Sequence, residues 1–210
     1  YLDPKNRFVA RAAARFYIHI GDNERAAEIV RKTGFSRFDP WLMASDISIA
    51  MMRGKRSGNI KKGQQMIFSS SYTPFSISEL ASALGTVEME YGTRKKSRDL
   101  FNQSLVDPND NSLAQAEWAM ISARIPITIQ SGPNVKCSHE SKVYKALELN
   151  DARESIHHAI DWICDMPFSL KPVFIGYEIS TSLLRDYDLS SNILGVGLKS
   201  HPNDPWMLNN

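Results

Sequence analysis

The sequence has few cysteines and no long apolar run. Its only two cysteines, Cys137 and Cys164, match no metal-binding spacing. A disulfide between them is one interpretation, and a pair of reduced thiols in a cytoplasmic protein is the one we adopt. No apolar run approaches the ~20 residues of a transmembrane helix, and the first residues lack the pattern of a signal peptide. We therefore expect a cytoplasmic protein with no membrane partner.

An excess of charge of one sign is also missing. The formal net charge is +2, which gives no general attraction to nucleic acid or to an acidic membrane surface. The 210 residues are 42% hydrophobic, enough to bury a core. The sequence starts without methionine and stops at PWMLNN, a stretch typical of a helix that has barely begun. We expect a fragment of a longer polypeptide.

The common catalytic motifs are absent. The sequence contains no phosphate-binding loop, no HExxH and no Gly-x-Ser-x-Gly turn. The nearest approach to a site is His157, His158 and Asp161, but their spacing supplies no further ligand and apolar residues fill the rest of that helix. We interpret the three as polar surface residues. The sequence thus predicts a protein with no catalytic residues, no metal and no cofactor.

What the sequence does contain is a recurring proline. Four of the five gaps between successive members of one proline series lie within two residues of 34, and the other is 59. The series is Pro4, Pro40, Pro74, Pro108, Pro167 and Pro202. Proline cannot continue a helix through its nitrogen, so each one separates two helices. Between the prolines the sequence predicts two helices joined by a short turn.

Units of this length and pattern resemble tetratricopeptide (TPR) repeats. The matching positions are small residues at the helix crossing, a turn between the helices and a large apolar residue beyond it. They are Ala14, Gly85, Gly21-Asp22, Gly92-Thr93, Ala26, Ser97, Ser190, Val30, Phe101 and Leu194. The closing phrase GLKSHPNDP is similar to bacterial repeats of this class. The resemblance implies an all-α, right-handed α-α superhelix of about five helix pairs in a single domain, 1–210.

The predicted repeats are 5–38, 41–72, 75–106, 109–165 and 168–202. The fourth departs from the pattern, because the gap from Pro108 to Pro167 exceeds one repeat by about 25 residues. Pro126 and the Ser-Gly-Pro-Asn stretch oppose helix formation, so we expect an irregular insertion near 126–140. It is either a tolerated surface insertion or a functional loop.

The resemblance implies that the first helices of successive repeats line a concave groove, which would bind a peptide segment or a partner helix. The predicted groove residues are Arg11, Arg15, His19, Ile47, Met51, Ser82, Thr86 and Gln115. Arg11 and Arg15 are the expected anchors for an acidic segment. The other interpretation is an ordinary solvated helix face. Glu79 and Ser82 stand where a clamp for a chaperone tail would need basic residues, which argues against that activity.

A second candidate surface is a basic ridge formed by the turns inside the second and third repeats. Its residues are Arg53, Lys55, Arg56, Lys61, Lys62, Arg94, Lys95, Lys96 and Arg98. An acidic protein or a nucleic acid is the alternative partner there, but we do not expect nucleic acid because the ridge lacks aromatic residues for base stacking. A third alternative is a structural spacer that self-associates through an exposed end of the array.

The four tryptophans are predicted to serve packing. Trp118 and Trp162 lie at apolar positions of predicted helices, so we expect them in the core. Trp41 and Trp206 each follow a proline, which places them at junctions between repeats. An aromatic binding platform is the alternative for the helical pair.

Overall fold

The computed structural model describes residues 6–69, 71–128, 135 and 138–210. Within them every regular element is helical, which confirms the predicted all-α class. In chain order, α1 to α12 are Arg7–His19, Asn23–Lys32, Pro40–Met52, Ile60–Phe68, Pro74–Tyr91, Arg94–Ser104, Asp110–Ala123, His139–Glu148, Ala152–Asp165, Leu170–Glu178, Tyr187–Ser200 and Pro205–Asn209. A π-helical segment, Ile179–Leu184, continues α10. None of these helices is long and apolar enough to cross a membrane.

The described members of the proline series each lie at the boundary between two helices, as predicted, and two of them begin a helix. Pro40 and Pro74 are the first residues of α3 and α5. The side chain of Asp39 accepts hydrogen bonds from two backbone amides at the start of α3, and Thr73 caps α5 in the same way. Proline lacks the amide hydrogen that the first helical turn leaves unpaired in any case, so it starts a helix without cost.

The chain divides into two compact units, residues 1–136 and 137–210, called here the N-terminal and C-terminal units. In the N-terminal unit α1 packs on α2, α3 on α4 and α5 on α6. The first helices also pack in series, with α3 between α1 and α5, and with α7 against α5. This arrangement puts α1, α3, α5 and α7 on one shared side.

Small residues allow the paired helices to approach closely. A Cβ on Gly85 would lie 3.1 Å from the buried ring of Phe101. The hydroxyl of Ser97 donates a hydrogen bond of 2.8 Å to the carbonyl oxygen of Gly85. In the first pair, Ala14 and Ala26 share a buried cluster with Val30. These contacts show that the matched positions of the first and third pairs lie where the two helices meet.

In the C-terminal unit, α8 and α9 pack as a helix hairpin, and α10 packs on α9 and α11. The predicted fourth repeat, 109–165, therefore holds a complete hairpin, while α7 belongs to the N-terminal unit. The sequence carries a signal for this hairpin, because Pro133 stands 34 residues before Pro167. Of the predicted insertion, residues 129–134, 136 and 137 lie outside the described residues, and His139 and Glu140 are helical.

The tryptophans occupy the predicted places. Trp162 is buried in the core of the C-terminal unit, and Trp118 packs against a buried cluster that contains Phe101. Trp206, on α12, contacts Phe174 and Tyr177 of α10. The π-helical segment was not predicted, because its sequence, ISTSLL, follows an ordinary helical pattern.

Candidate functional site

Three aromatic rings form a continuous row in the N-terminal unit. Phe8, Trp41 and Phe75 are each the second residue of a first helix, α1, α3 and α5. The ring centroids of Phe8 and Trp41 lie 5.6 Å apart, and those of Trp41 and Phe75 lie 5.7 Å apart. Both pairs meet edge to face, a favourable arrangement for aromatic rings. We call this row the aromatic ledge.

The ledge is buried at its centre and open at its ends. Trp41 is buried, whereas Phe8 is 56% exposed and Phe75 is 41% exposed. The indole Nε1 of Trp41 is buried and has no hydrogen-bond acceptor among the described residues. A buried donor without an acceptor is unusual in folded proteins. The ledge thus presents two apolar edges and one unsatisfied donor.

Two arginines stack on the ledge. The guanidinium of Arg7 lies 4.9 Å from the ring centroid of Phe8 and 4.8 Å from that of Trp41. Arg11 lies 5.1 Å from the Trp41 ring. Arg7 is partly exposed and also pairs with Asp39 at 3.1 Å. The ledge therefore combines exposed aromatic surface with a cation at its edge.

The predicted anchors, Arg11 and Arg15, are engaged inside the N-terminal unit. Arg11 pairs with Glu79 of α5 through two nitrogens, and Nε donates at 3.1 Å. Asn109 donates a third hydrogen bond to that carboxylate at 2.7 Å. Arg15 pairs with Asp110 of α7 at 3.1 Å. Ion pairs thus cross the side shared by α1, α5 and α7, where an open basic groove was expected.

Glu79 is only 4% exposed, so its pair with Arg11 is largely desolvated. Burial disfavours the charge on Arg11, but the hydrogen bond and charge of Glu79, helped by the charge of Asp110, raise the pKa of Arg11 above its ordinary value. Arg11 therefore stays protonated, and its charge is directed at the Glu79 carboxylate. Arg11 therefore offers little net charge to a ligand.

Two of the predicted groove residues are corrected by the structure. Ile47 and Ser82 are 0% exposed, because Ile47 faces the core and Ser82 donates its hydroxyl to the carbonyl of Glu79 one turn earlier. They cannot line an open groove. The remaining predicted residues are all half-buried, namely His19, Met51, Thr86 and Gln115.

The basic ridge is partly neutralised. Arg53 makes a bidentate pair with Glu24 at 2.7 and 2.8 Å, Arg98 pairs with its neighbour Asp99, and Lys62 stacks on Phe38. The other ridge cations are exposed and pair with no acid in the described ranges. They are Lys55, Arg56, Lys61, Arg94, Lys95 and Lys96.

The C-terminal unit brings together a cluster that sequence spacing missed. His139, at the start of α8, lies beside His158 and Asp161 of α9, and ligand atoms of the three lie within 4.8 Å of one another. Burial, despite the nearby charge of Glu154, lowers the pKa of His158 below its ordinary value. In the sequence only the α9 residues His158 and Asp161 suggested a shared site. His139 stands 19 residues before His158, a separation that matches no metal-binding spacing.

The fold and the ledge define an all-α protein of consecutive helix pairs. No protein-family model matches the chain, and no curated protein matches it. Among solved structures the chain is similar to the C-terminal part of a TPR repeat-containing protein from Cytophaga hutchinsonii. The identity is 12% and the TM-score 0.43, over 100% of this chain and 88% of that chain.

Proposed function

We propose that this chain is a non-catalytic, TPR-like scaffold that binds a peptide segment of another protein on the aromatic ledge. The observation that carries the proposal is the row of Phe8, Trp41 and Phe75, one ring from each of three successive first helices. Rigid aromatic side chains with exposed edges are the residues that most often dominate protein interfaces. A row that depends on three helix pairs presents its rings in a fixed geometry.

The dimensions of the ledge suit a short extended segment. The outer rings of Phe8 and Phe75 lie no more than about 11 Å apart, the span of three to four extended residues at about 3.3 Å each. We expect apolar side chains of the partner, such as proline or an aromatic residue, against the two outer rings.

The partner we expect also carries an acidic residue. Arg7 lies at the exposed edge of the ledge, and a carboxylate there would meet a guanidinium that is already held in place by two rings. Arg11 and Arg15 stay predicted anchors, and a ligand that used them would have to displace Glu79 and Asp110. Arg7 is also paired, with Asp39, but its side chain is 44% exposed, against 22% for Arg11 and 29% for Arg15, so it is the first cation that we assign to recognition.

Selection from a displayed library of short peptides tests the proposal. Peptides are selected on the whole chain and counter-selected on the variant Phe8→Ser/Phe75→Ser. We expect enriched sequences that combine an apolar pair with an acidic residue, and we expect them to be lost on that variant. The matched control is Phe68→Ser, since Phe68 is an exposed aromatic residue of α4 that does not belong to the ledge. Equal enrichment on all three proteins would contradict the proposal.

A second candidate function is binding of an acidic partner to the basic ridge. It is favoured by the six ridge cations that are exposed and unpaired in the described ranges. Binding there would weaken steeply with salt, and Lys95→Glu/Lys96→Glu would abolish it while Arg7→Met would not. Self-association, the third alternative, predicts a mass that rises with concentration in light scattering.

A further inference from the structure

The cluster at the junction of α8 and α9 has the donor set of a transition-metal site. The Nδ1 atom of His139 lies 3.7 Å from Oδ2 of Asp161, and the Nδ1 atom of His158 lies 4.0 Å from the same oxygen. Ligands that share one tetrahedral zinc ion lie about 3.3 Å apart, given bonds of about 2.0–2.2 Å. All three ligand atoms lie within 4.8 Å of one another, so side-chain movements that shorten these distances by about 0.5–1.5 Å bring them to ligand spacing.

Both imidazoles are left without partners on the side that faces the cluster. The Nδ1 atoms of His139 and His158 are buried and have no hydrogen-bond partner among the described residues. Each lies too far from Asp161 for a hydrogen bond. Buried polar atoms usually have partners, so two such nitrogens beside one carboxylate favour a cation shared by all three groups.

The other nitrogen of His158 is already held by a carboxylate. Its Nε2 lies 3.1 Å from Oε1 of Glu154, one turn earlier on α9. A hydrogen on Nε2 that is donated to Glu154 leaves the lone pair of Nδ1 directed at the cluster. A carboxylate behind a histidine in this way is the usual outer support of a metal-binding imidazole.

We propose that His139, His158 and Asp161 bind one divalent transition-metal ion in the C-terminal unit, with Zn²⁺ as the best match. Two imidazole nitrogens and one carboxylate oxygen suit zinc, whereas Mg²⁺ and Ca²⁺ prefer sites made of oxygen alone. The fourth position is open to water or to His157, whose Nε2 lies 3.7 Å from the same Asp161 oxygen. The ion would tie the first residue of α8 to the middle of α9.

Zinc titration of the whole chain, freed of any histidine tag, tests this proposal by calorimetry near neutral pH. We expect one Zn²⁺ ion per chain and no comparable binding of Mg²⁺ or Ca²⁺. His139→Gln, His158→Gln and Asp161→Asn should each weaken binding by at least about tenfold. Glu154→Gln, which alters a positioning residue, should weaken it by about tenfold through His158.

The matched control is His201→Gln, since His201 belongs to the same unit but contacts the carbonyl of Phe168. It should bind zinc like the unchanged chain, and circular dichroism verifies that each variant is folded. As a second readout, zinc should slow amide hydrogen exchange at the start of α8 and not in the His139→Gln variant. Absence of zinc binding, or equal affinity in the chain and in the three ligand variants, would overturn the proposal.

Discussion

At the scale of the residue, the sequence predicted the arginine stripe of α1 but not its partners. The spacing of Arg11 and Arg15 places them on one helical face, which is local information. Glu79, however, stands 68 residues beyond Arg11, and only the packing of α1, α3 and α5 brings the two together. A charged residue on a helix face was therefore predictable, whereas its burial against a specific carboxylate was not.

The buried pair should be costly to break. Replacing Glu79 by Gln leaves the guanidinium of Arg11 half-buried and without its anion, so the free energy of unfolding should fall by about 3–5 kcal/mol. Urea denaturation of the whole chain, followed in the N-terminal unit, measures this loss of stability. The matched control is Glu28→Gln, which alters an exposed pair with Lys32 and should change stability little. Similar stability of both variants would show that the Glu79 pair is not a structural element.

A second residue-scale feature is Lys171, which pairs with Glu140 and lies over the rings of Tyr144 and Trp162. Burial disfavours its charge, but Glu140 and Tyr144 outweigh this and raise the pKa of Lys171 above 10.5. Burial also raises the pKa of Tyr144 above 10.0. In both cases folding favours the protonated form, so the stabilisation is complete below the ordinary pKa values and is lost above them.

We therefore expect the C-terminal unit to lose stability as the pH rises above about 10. In Lys171→Met/Tyr144→Phe neither group titrates, so the decline of the urea midpoint with pH should be shallower than in the unchanged chain. Circular dichroism at a series of alkaline pH values measures the midpoints. Identical slopes for the two proteins would contradict this assignment.

At the scale of the element, the period of the prolines was enough to predict most helix pairs. The turns at Gly21-Asp22 and Gly92-Thr93 separate α1 from α2 and α5 from α6. In the long gap from Pro108 to Pro167 the sequence pattern also predicts two helices beyond the irregular stretch, SKVYKALELN and DARESIHHAIDWICD. The structure has these two helices as the α8–α9 hairpin. The π-helical segment, Ile179–Leu184, in contrast had no local signal.

The close crossing of α5 and α6 should depend on the absence of a side chain at Gly85. Gly85→Leu would push atoms into the ring of Phe101, and we expect a loss of about 1–3 kcal/mol in the free energy of unfolding. The matched control is Gly195→Leu on α11, where a Cβ meets nothing within 4 Å. The control should not lose stability, because leucine favours helix over glycine. Equal losses in urea denaturation would contradict close packing at Gly85.

At the scale of the whole molecule, each of the two units carries one candidate site. The N-terminal unit presents the aromatic ledge, and the C-terminal unit presents the His139, His158 and Asp161 cluster. Sequence reasoning placed Trp41 at a repeat junction but did not predict a row with Phe8 and Phe75, since that row requires three helices in register. It also missed His139 as a ligand for the same reason, because proximity across a hairpin leaves no fixed spacing in the sequence.

The central claim is that the ledge is a protein-binding surface, and the dissociation constant of a peptide selected on the chain tests it most directly. Calorimetry compares the unchanged chain with Phe8→Ala/Phe75→Ala and with Phe68→Ala, whose ring is exposed elsewhere. Loss of two aromatic contacts at the centre of an interface typically costs 2 kcal/mol or more, so we predict at least about 30-fold weaker binding for the ledge variant. Phe68→Ala should bind like the unchanged chain. Equal dissociation constants for all three folded proteins would contradict the claim.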